Sequence, residues 1–252
     1  MIVDFIIPAL NERENIDALF DALQKVRAEG GGGVALRHIV LADNGSTDGT
    51  AEQAAARGAT VVHEPRRGYG AACLKAVDWF DGQEAPPDVI AFLDADLSDD
   101  PAALPTLLAP LARGEAEIVI GCRVKLAEPG ALSFVQRFGN NLACALMALL
   151  TGRRYRDLGP FRAITWPALK RLAMADRTWG WTVEMQMKAA MLEMPVAEVD
   201  VPYRRRREGR SKISGTLRGI ITAGYKIIIT IIALRLQRRR LAARGPRPVA
   251  AG

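Results

Sequence analysis

Cysteine is scarce in this chain and poorly placed for chemistry. Cys73, Cys122 and Cys144 are scattered without metal-type or redox-type spacing. That excludes a thiolate metal centre or a dithiol pair, and suits small core residues in a reducing compartment. The opening MIVDFIIPAL lacks a basic leader and has only a short apolar run, so no secretory signal is expected. Long uncharged runs are missing as well. From Ile213 to Leu236 the chain is apolar, but Arg218 and Lys226 interrupt it, leaving stretches far below the ~20 residues of a spanning helix. No repeat or low-complexity domain stands out. Acids are nearly absent from the C-terminal part. Tyr203 to Gly252 holds fourteen Lys or Arg against Glu208 alone, a net +13, whereas the preceding 202 residues carry −7. A basic tail on a slightly acidic body suits an anionic partner such as a membrane surface, a nucleic acid or a phosphorylated substrate.

What is present is ordered. With 252 residues, there is enough chain for one large domain, or a domain with an appendage. The first half alternates strand-like and helix-like segments. Strands are expected at 2–9, 38–43, 60–64, 89–94 and 117–123, and helices at 15–28, 48–57 (capped by Asp48), 70–80 and 100–113. That rhythm predicts an α/β fold, a mostly parallel sheet with helices on both faces. Its ligands would sit beyond the carboxyl ends of the strands, where Asp43, Asp94 and Asp96 all fall. The second half is less regular. Helices are expected at 133–151, 166–174 and 181–192, a loop at 152–162 and a strand at 196–203.

The stretch VIAFLDADLSDD, Val89 to Asp100, runs from a buried strand into a cluster of carboxylates. Asp94 and Asp96, two apart, project to one face if the strand extends through them. Such a pair is a natural seat for Mg²⁺, whose shell substrate phosphates complete. Asp99-Asp100-Pro101 reads as a helix start. Taken alone, the same acids are better read as merely capping and solubilising a loop; the motifs around them shift that balance. Gly68-Tyr69-Gly70 opens like a dinucleotide-binding G-x-G-x-x-G, but Cys73 replaces the third glycine and no acid follows at the usual remove. A Rossmann oxidoreductase is therefore not expected. The glycines instead would let backbone approach a nucleotide, with the helix N-terminus facing phosphate. Arg218, Thr222, Lys226 and Thr230 recur every four residues and form one polar stripe. This fits a helix lying in the headgroup layer, with a dimer-forming or core helix as the rival.

Six patterns occur in order: IIPALNE, LADNGSTDGT, RRGYGAA, LDAD, DLGPFRAI and RRRREGRSKISGT. Together, over about residues 1 to 236, they resemble the family-two glycosyltransferases of the GT-A fold, in the dolichyl- or polyprenyl-phosphate mannose and glucose synthase-like branch. The resemblance implies a catalytic domain over 1–212, split into a nucleotide-sugar half (1–123) and an acceptor half (124–212). An amphipathic interfacial helix (213–240) and a disordered basic tail (241–252) would follow. It implies donor binding by Pro8, Asn11, Glu12, Asp43, Gly68, Gly70, Asp94, Ala95 and Asp96. Asn44 stands where many relatives carry a second Asp, leaving base preference open.

Asp94 and Asp96 would hold Mg²⁺ or Mn²⁺, and Asp157 would sit in the active site as a positioning residue first and a base second. Acceptor phosphate would meet Arg123, Arg162, Glu184, Arg204, Arg205, Arg206, Arg207, Arg210, Ser211 and Lys212. The expected activity is an inverting transfer of hexose from a nucleotide diphosphate sugar, UDP-glucose first and GDP-mannose second, to a polyprenyl phosphate. A soluble sugar or aglycone acceptor is the alternative, and a non-enzymatic membrane- or nucleic-acid-binding module the remote one. The expected setting is cytoplasmic and peripheral, on the inner face of an anionic membrane. Nucleic acid is not an expected partner, and a homo-oligomer is left open by the exposed isoleucines.

Overall fold

A computed structural model of the chain describes residues 1–29, 33–206 and 217–236. Hydrophobic parity builds its centre. Along β1 (Ile2–Ala9) the side chains of Val3, Phe5, Ile7 and Ala9 pack on one side of the sheet, while Ile6 packs on the other. β4 (Val89–Phe92) divides in the same way, with Val89 and Ala91 facing one layer and Ile90 and Phe92 the opposite one. Strand side chains alternate between faces, so both faces of these strands are core.

Three further strands of the first half join them: β2 (Ala35–Asp43), β3 (Thr60–His63) and β5 (Ile118–Cys122). From the second half come β6 (Arg162–Thr165) and β7 (Val196–Asp200). The seven strands lie in the order β3-β2-β1-β4-β6-β5-β7. All pairings are parallel except those of β6, which runs antiparallel to both β4 and β5. The expected loop at 152–162 thus ends in a strand that the sequence reading missed. That insertion makes one sheet of the two halves.

One layer is formed by α1 (Arg13–Glu29), α2 (Thr50–Ala56) and α4 (Leu104–Ala112). Ile16, Leu19, Phe20 and Leu23 of α1 recur at helical spacing and are fully buried there. The other layer contains α3 (Tyr69–Asp81), α5 (Phe134–Thr151), α6 (Trp166–Leu172), α7 (Trp181–Met191) and α8 (Leu217–Leu236). A capping box between Ser133 and Gln136 starts α5, and Gly152 ends it in a left-handed turn, φ 80°. All three cysteines are buried and unpaired by disulfide.

Two local expectations need correction. β4 stops at Phe92, so Asp94 and Asp96 lie on the turn beyond the strand. α2 begins after Gly49 rather than Asp48, whose carboxylate instead receives the Thr50 and Arg13 N–H groups. The expected start at Asp99-Asp100-Pro101 is seen: Asp100 caps the short 3₁₀ turn Pro101–Ala103, its side chain accepting the Ala102 N–H.

Candidate active site

The chain leaves β1 toward β2 and later returns to place β4 on the opposite side of β1. At this reversal the crossovers diverge and leave a crevice beyond the strand ends, the usual ligand position in such sheets. A cavity of about 160 Å³ opens there, walled by Pro8, Glu12, Tyr69, Asp94, Asp96 and Trp179 among others. Ala95, Asn44 and Arg206 also line it. The carboxylate turn therefore stands at the geometric switch of the sheet.

Asp94 accepts a hydrogen bond from the Tyr69 hydroxyl at 3.0 Å. Burial, then the charge of Asp96, push its pKa up to about 6. Asp96 accepts the Ser98 N–H at 2.9 Å and faces Arg206 Nη2 at 2.8 Å. Arg206 Nη1 reaches Glu12 Oε1, also at 2.8 Å. Two hard oxygen donors with surplus negative charge fit a divalent Mg²⁺ or Mn²⁺ whose remaining ligands come from a diphosphate. Among the described residues no group of three or more His, Cys, Asp or Glu is assembled for a metal.

Other donor-side candidates act at one remove. Asn11 sits in left-handed backbone, φ 51°, a conformation Asn tolerates better than most. It ties the exit of β1 to that of β2 through Ser46 and Thr47. Asp43 accepts the Gly45 and Ser46 N–H groups. Burial raises its pKa, but the hydrogen bonds from Ser46, His63 and Gly45 together outweigh this and hold it below the ordinary value. The Asn44 amide donates to the Glu64 and Arg66 carbonyls and accepts from Gly68 N–H, so it organises the neighbouring loop.

Gly68 and Gly70 have a different role from the one the sequence suggests. A Cβ on Gly68 would lie 2.0 Å from the Arg177 carbonyl oxygen, and one on Gly70 equally close to that of Asp176. The N–H groups of Gly70 and Ala71 donate to Thr178 and Arg177 carbonyls. These first turns of α3 are thus satisfied by protein, and the approaching backbone is the 176–178 loop instead of a nucleotide.

A second cavity, of about 80 Å³, is lined by Arg123, Arg137, Asn140, Asn141 and Asp157 among others. Arg123 grips Asp157 with Nε and Nη2, both at 2.8 Å, and its backbone N–H adds a third bond at 2.8 Å. Burial raises the Asp157 pKa, yet these bonds and the guanidinium charge pull it below the ordinary value. Arg123 also lies 5.0 Å over the Tyr203 ring. Asp99 sits nearby, fully buried, with no hydrogen-bond partner for either carboxylate oxygen among the described residues. Burial drives its pKa well above normal.

Two acceptor candidates are corrected outright. Arg162 is fully buried and bonds the carbonyls of Leu158, Gly159 and Thr182. It braces the 158–162 turn and cannot reach an incoming phosphate. Glu184 pairs with Lys188 at 2.7 Å and accepts the Ala175 and Asp176 N–H groups, so it anchors that loop. Of the basic cluster, Arg204 pairs with Asp100 and Arg205 with the Pro129 carbonyl, both at the surface. Only Arg206 of these three enters the first cavity. Arg207, Arg210, Ser211 and Lys212 lie outside the described residues, as do residues 213–216 and 237–252.

Tyr69, Trp179, Asp99, Arg137 and Tyr203 went unnoticed as site residues. Two of them had a signal: Tyr69 lies inside the RRGYGAA pattern, and Asp99 in the acid-rich stretch, where it reads as part of a helix start. The others come from the 173–180 loop, the face of α5 and the exit of β7, where nothing local marks them.

Comparison with known proteins agrees with this geometry. The model of glycosyl transferase family 2 matches residues 4–155. An uncharacterised glycosyltransferase of Mycobacterium tuberculosis is 37% identical over 225 residues, covering 88% of this chain and 94% of that protein. The undecaprenyl-phosphate mannosyltransferase of Micrococcus luteus is 28% identical over 225 residues, 85% of this chain and 88% of its own. Among solved structures, glucosyl-3-phosphoglycerate synthase from Mycobacterium tuberculosis with Mn²⁺, UDP-glucose and phosphoglyceric acid superposes with a TM-score of 0.71. Its identity is 22%, over 98% of this chain and 81% of that one. At that identity the likeness speaks for the architecture, which is GT-A.

Proposed function

The chain belongs to glycosyl transferase family 2, and from that premise we propose that it moves a hexose from a nucleoside diphosphate sugar to a polyprenyl phosphate. UDP-glucose is the first donor candidate and GDP-mannose the second. The carrying observation is the second cavity. Arg137 and Asn141 line it with side chains that can donate to a phosphate, next to Arg123 and Asn140, which already bond Asp157 and the Arg156 carbonyl, and beside them Phe134 and Phe138 of α5 are 81% and 59% exposed. Cationic donors at the edge of an apolar face match a phosphate on a hydrocarbon chain.

Each half has its task in this reading. Residues 1–123 bind the nucleotide, with Asp94 and Asp96 holding Mg²⁺ or Mn²⁺. When bound there, the cation supplies Lewis-acid neutralisation of the departing diphosphate. The acceptor half, 124–212, presents the lipid phosphate. One phosphate oxygen attacks the anomeric carbon from the face opposite the leaving group, the C1–O bond to diphosphate breaks, and the configuration inverts. No base need remove a proton, because a phosphomonoester with a second pKa of about 6 is already largely anionic. Asp157 agrees with this. Its oxygens are engaged by Arg123 and its pKa is held down, the opposite of what a hydroxyl acceptor requires of a general base.

The apolar side chains of α5 and α8 suit a peripheral position on the cytoplasmic leaflet, where the acceptor head group would be reached. Tyr225, Ile229, Ile232 and Leu236 of α8 are exposed. No helix among the described residues is long and apolar enough to cross a membrane.

A soluble phosphorylated acceptor is the second reading, since glucosyl-3-phosphoglycerate synthase shares the architecture. Incubation with radiolabelled UDP-glucose or GDP-mannose, Mn²⁺ and a short-chain polyprenyl phosphate separates the two. Label should move into the butanol phase; label that stays wholly aqueous, with a soluble acceptor consumed instead, overturns the lipid assignment.

A further inference from the structure

Arg206 is where the site and the basic segment meet. Its guanidinium spans Glu12, beyond β1, and Asp96, beyond β4, at 2.8 Å each. It therefore closes the crevice between the two strands at which the sheet opens. All three side chains are largely buried, with exposures of 24% for Arg206, 8% for Glu12 and 11% for Asp96. The fork takes up Asp96 Oδ2, an oxygen that a divalent ion on the carboxylate pair would also use. A guanidinium and a metal ion competing for one carboxylate also repel each other, and partial burial strengthens that repulsion.

We propose that Arg206 is an exchangeable counter-cation, holding Asp96 while the site is empty and passing to the nucleotide's diphosphate when metal and nucleotide bind together. This rests on reading Asp94 and Asp96 as the cation ligands. The diphosphate brings the negative charge that lets both cations remain, and its oxygens give the fork a bidentate partner in place of the carboxylates. Arg206 is then a positioning residue for the donor. It makes the metal alone a weak ligand and the metal–nucleotide pair a strong one.

The backbone fits a side-chain exchange. Tyr203 bridges to Asp99 and Ala127, and the Arg204 N–H donates to the Ser98 carbonyl at 2.8 Å. The Arg204 side chain adds an ion pair to Asp100 at 2.7 Å. The segment is pinned to the Asp-rich turn through residue 204 and to Glu128 and Pro129 through Arg205, and Arg206 lies just beyond the last of these pins. Rotating one side chain moves the charge from carboxylate to diphosphate without unpairing these bonds.

The test is Mn²⁺ binding by electron paramagnetic resonance on the full chain, first without nucleotide. It is then repeated with whichever of UDP and GDP gives the larger thermal shift. Arg206→Met should bind Mn²⁺ alone about tenfold more tightly than wild type, and the nucleotide at saturating Mn²⁺ about tenfold more weakly. Lys125→Met removes a surface charge paired with Asp200 and should change neither by more than about twofold. Thermal melts establish that the variants are folded. Equal Mn²⁺ affinity in wild type and Arg206→Met overturns the exchange while leaving the cation site intact. If Asp96→Asn binds Mn²⁺ as well as both, or none of them binds it, the cation-site reading fails and the exchange fails with it.

Discussion

Asp157 shows how far one buried carboxylate can be shaped by its neighbours. Removing its charge leaves Arg123 buried without a counter-ion, a change that costs about 3–5 kcal/mol in comparable buried pairs. Asp157→Asn should lower unfolding free energy by that order at pH 7, measured by urea titration. The sign of the pH effect follows from the lowered folded-state pKa. The ion pair stabilises the fold above the unfolded value of about 4, and the gain is lost as pH falls through the lower folded value. The gap between wild type and Asp157→Asn should therefore narrow toward pH 3, and an unchanged gap would count against the ion pair as its source. At this scale the sequence was readable for where Asp94 and Asp96 fall, at the crevice they line, because acids that follow an apolar strand of a parallel sheet stand at its carboxyl end. It was unreadable for Arg162 and Glu184, since the letters are those of binding residues and only their burial among carbonyls and N–H groups reveals bracing.

α3 and α8 show elements whose chemistry is turned around by what packs on them. The N–H groups that open α3 point at carbonyls of the 176–178 loop, and Gly70 is the price of that approach. In Gly70→Ala the new methyl group meets the Asp176 carbonyl oxygen, a backbone atom that cannot swing away. The expected cost is about 2 kcal/mol, or roughly 4–8 °C in melting temperature. A variant melting with wild type would show that the loop yields freely. In α8 the polar stripe faces inward where its side chains are described. Lys226 lies 3.7 Å from Asp176, and Thr230 is buried against the Gly180 turn. The outward face is the apolar one, contrary to a stripe directed at water. β6 escaped notice because four residues in the middle of a sheet, flanked by a turn and a helix, carry too little periodicity to register.

On the molecule as a whole, the exposed apolar residues gather on helices that touch, since α8 packs on both α5 and α7. Phe134, Phe138 and Leu149 belong to α5, and Ile229, Ile232 and Leu236 to α8. Replacing Phe134 and Phe138 together with Ser should weaken sedimentation with anionic vesicles about tenfold or more, because fully burying one aromatic ring is worth roughly 1.5–3 kcal/mol. Undiminished binding by the folded double variant would remove α5 from any lipid-facing role. The sequence by itself determined the α/β rhythm, the order of the motifs and the carboxylate pair, because strand parity, turn chemistry and clustered charge are local properties. Tertiary structure alone decided that β6 runs backward between β4 and β5, that Arg206 rather than its neighbours enters the crevice, and that Arg123 answers Asp157. Each of these depends on which distant segments share a sheet edge or a cavity wall, and contact between residues far apart in the chain leaves no periodic trace in either partner.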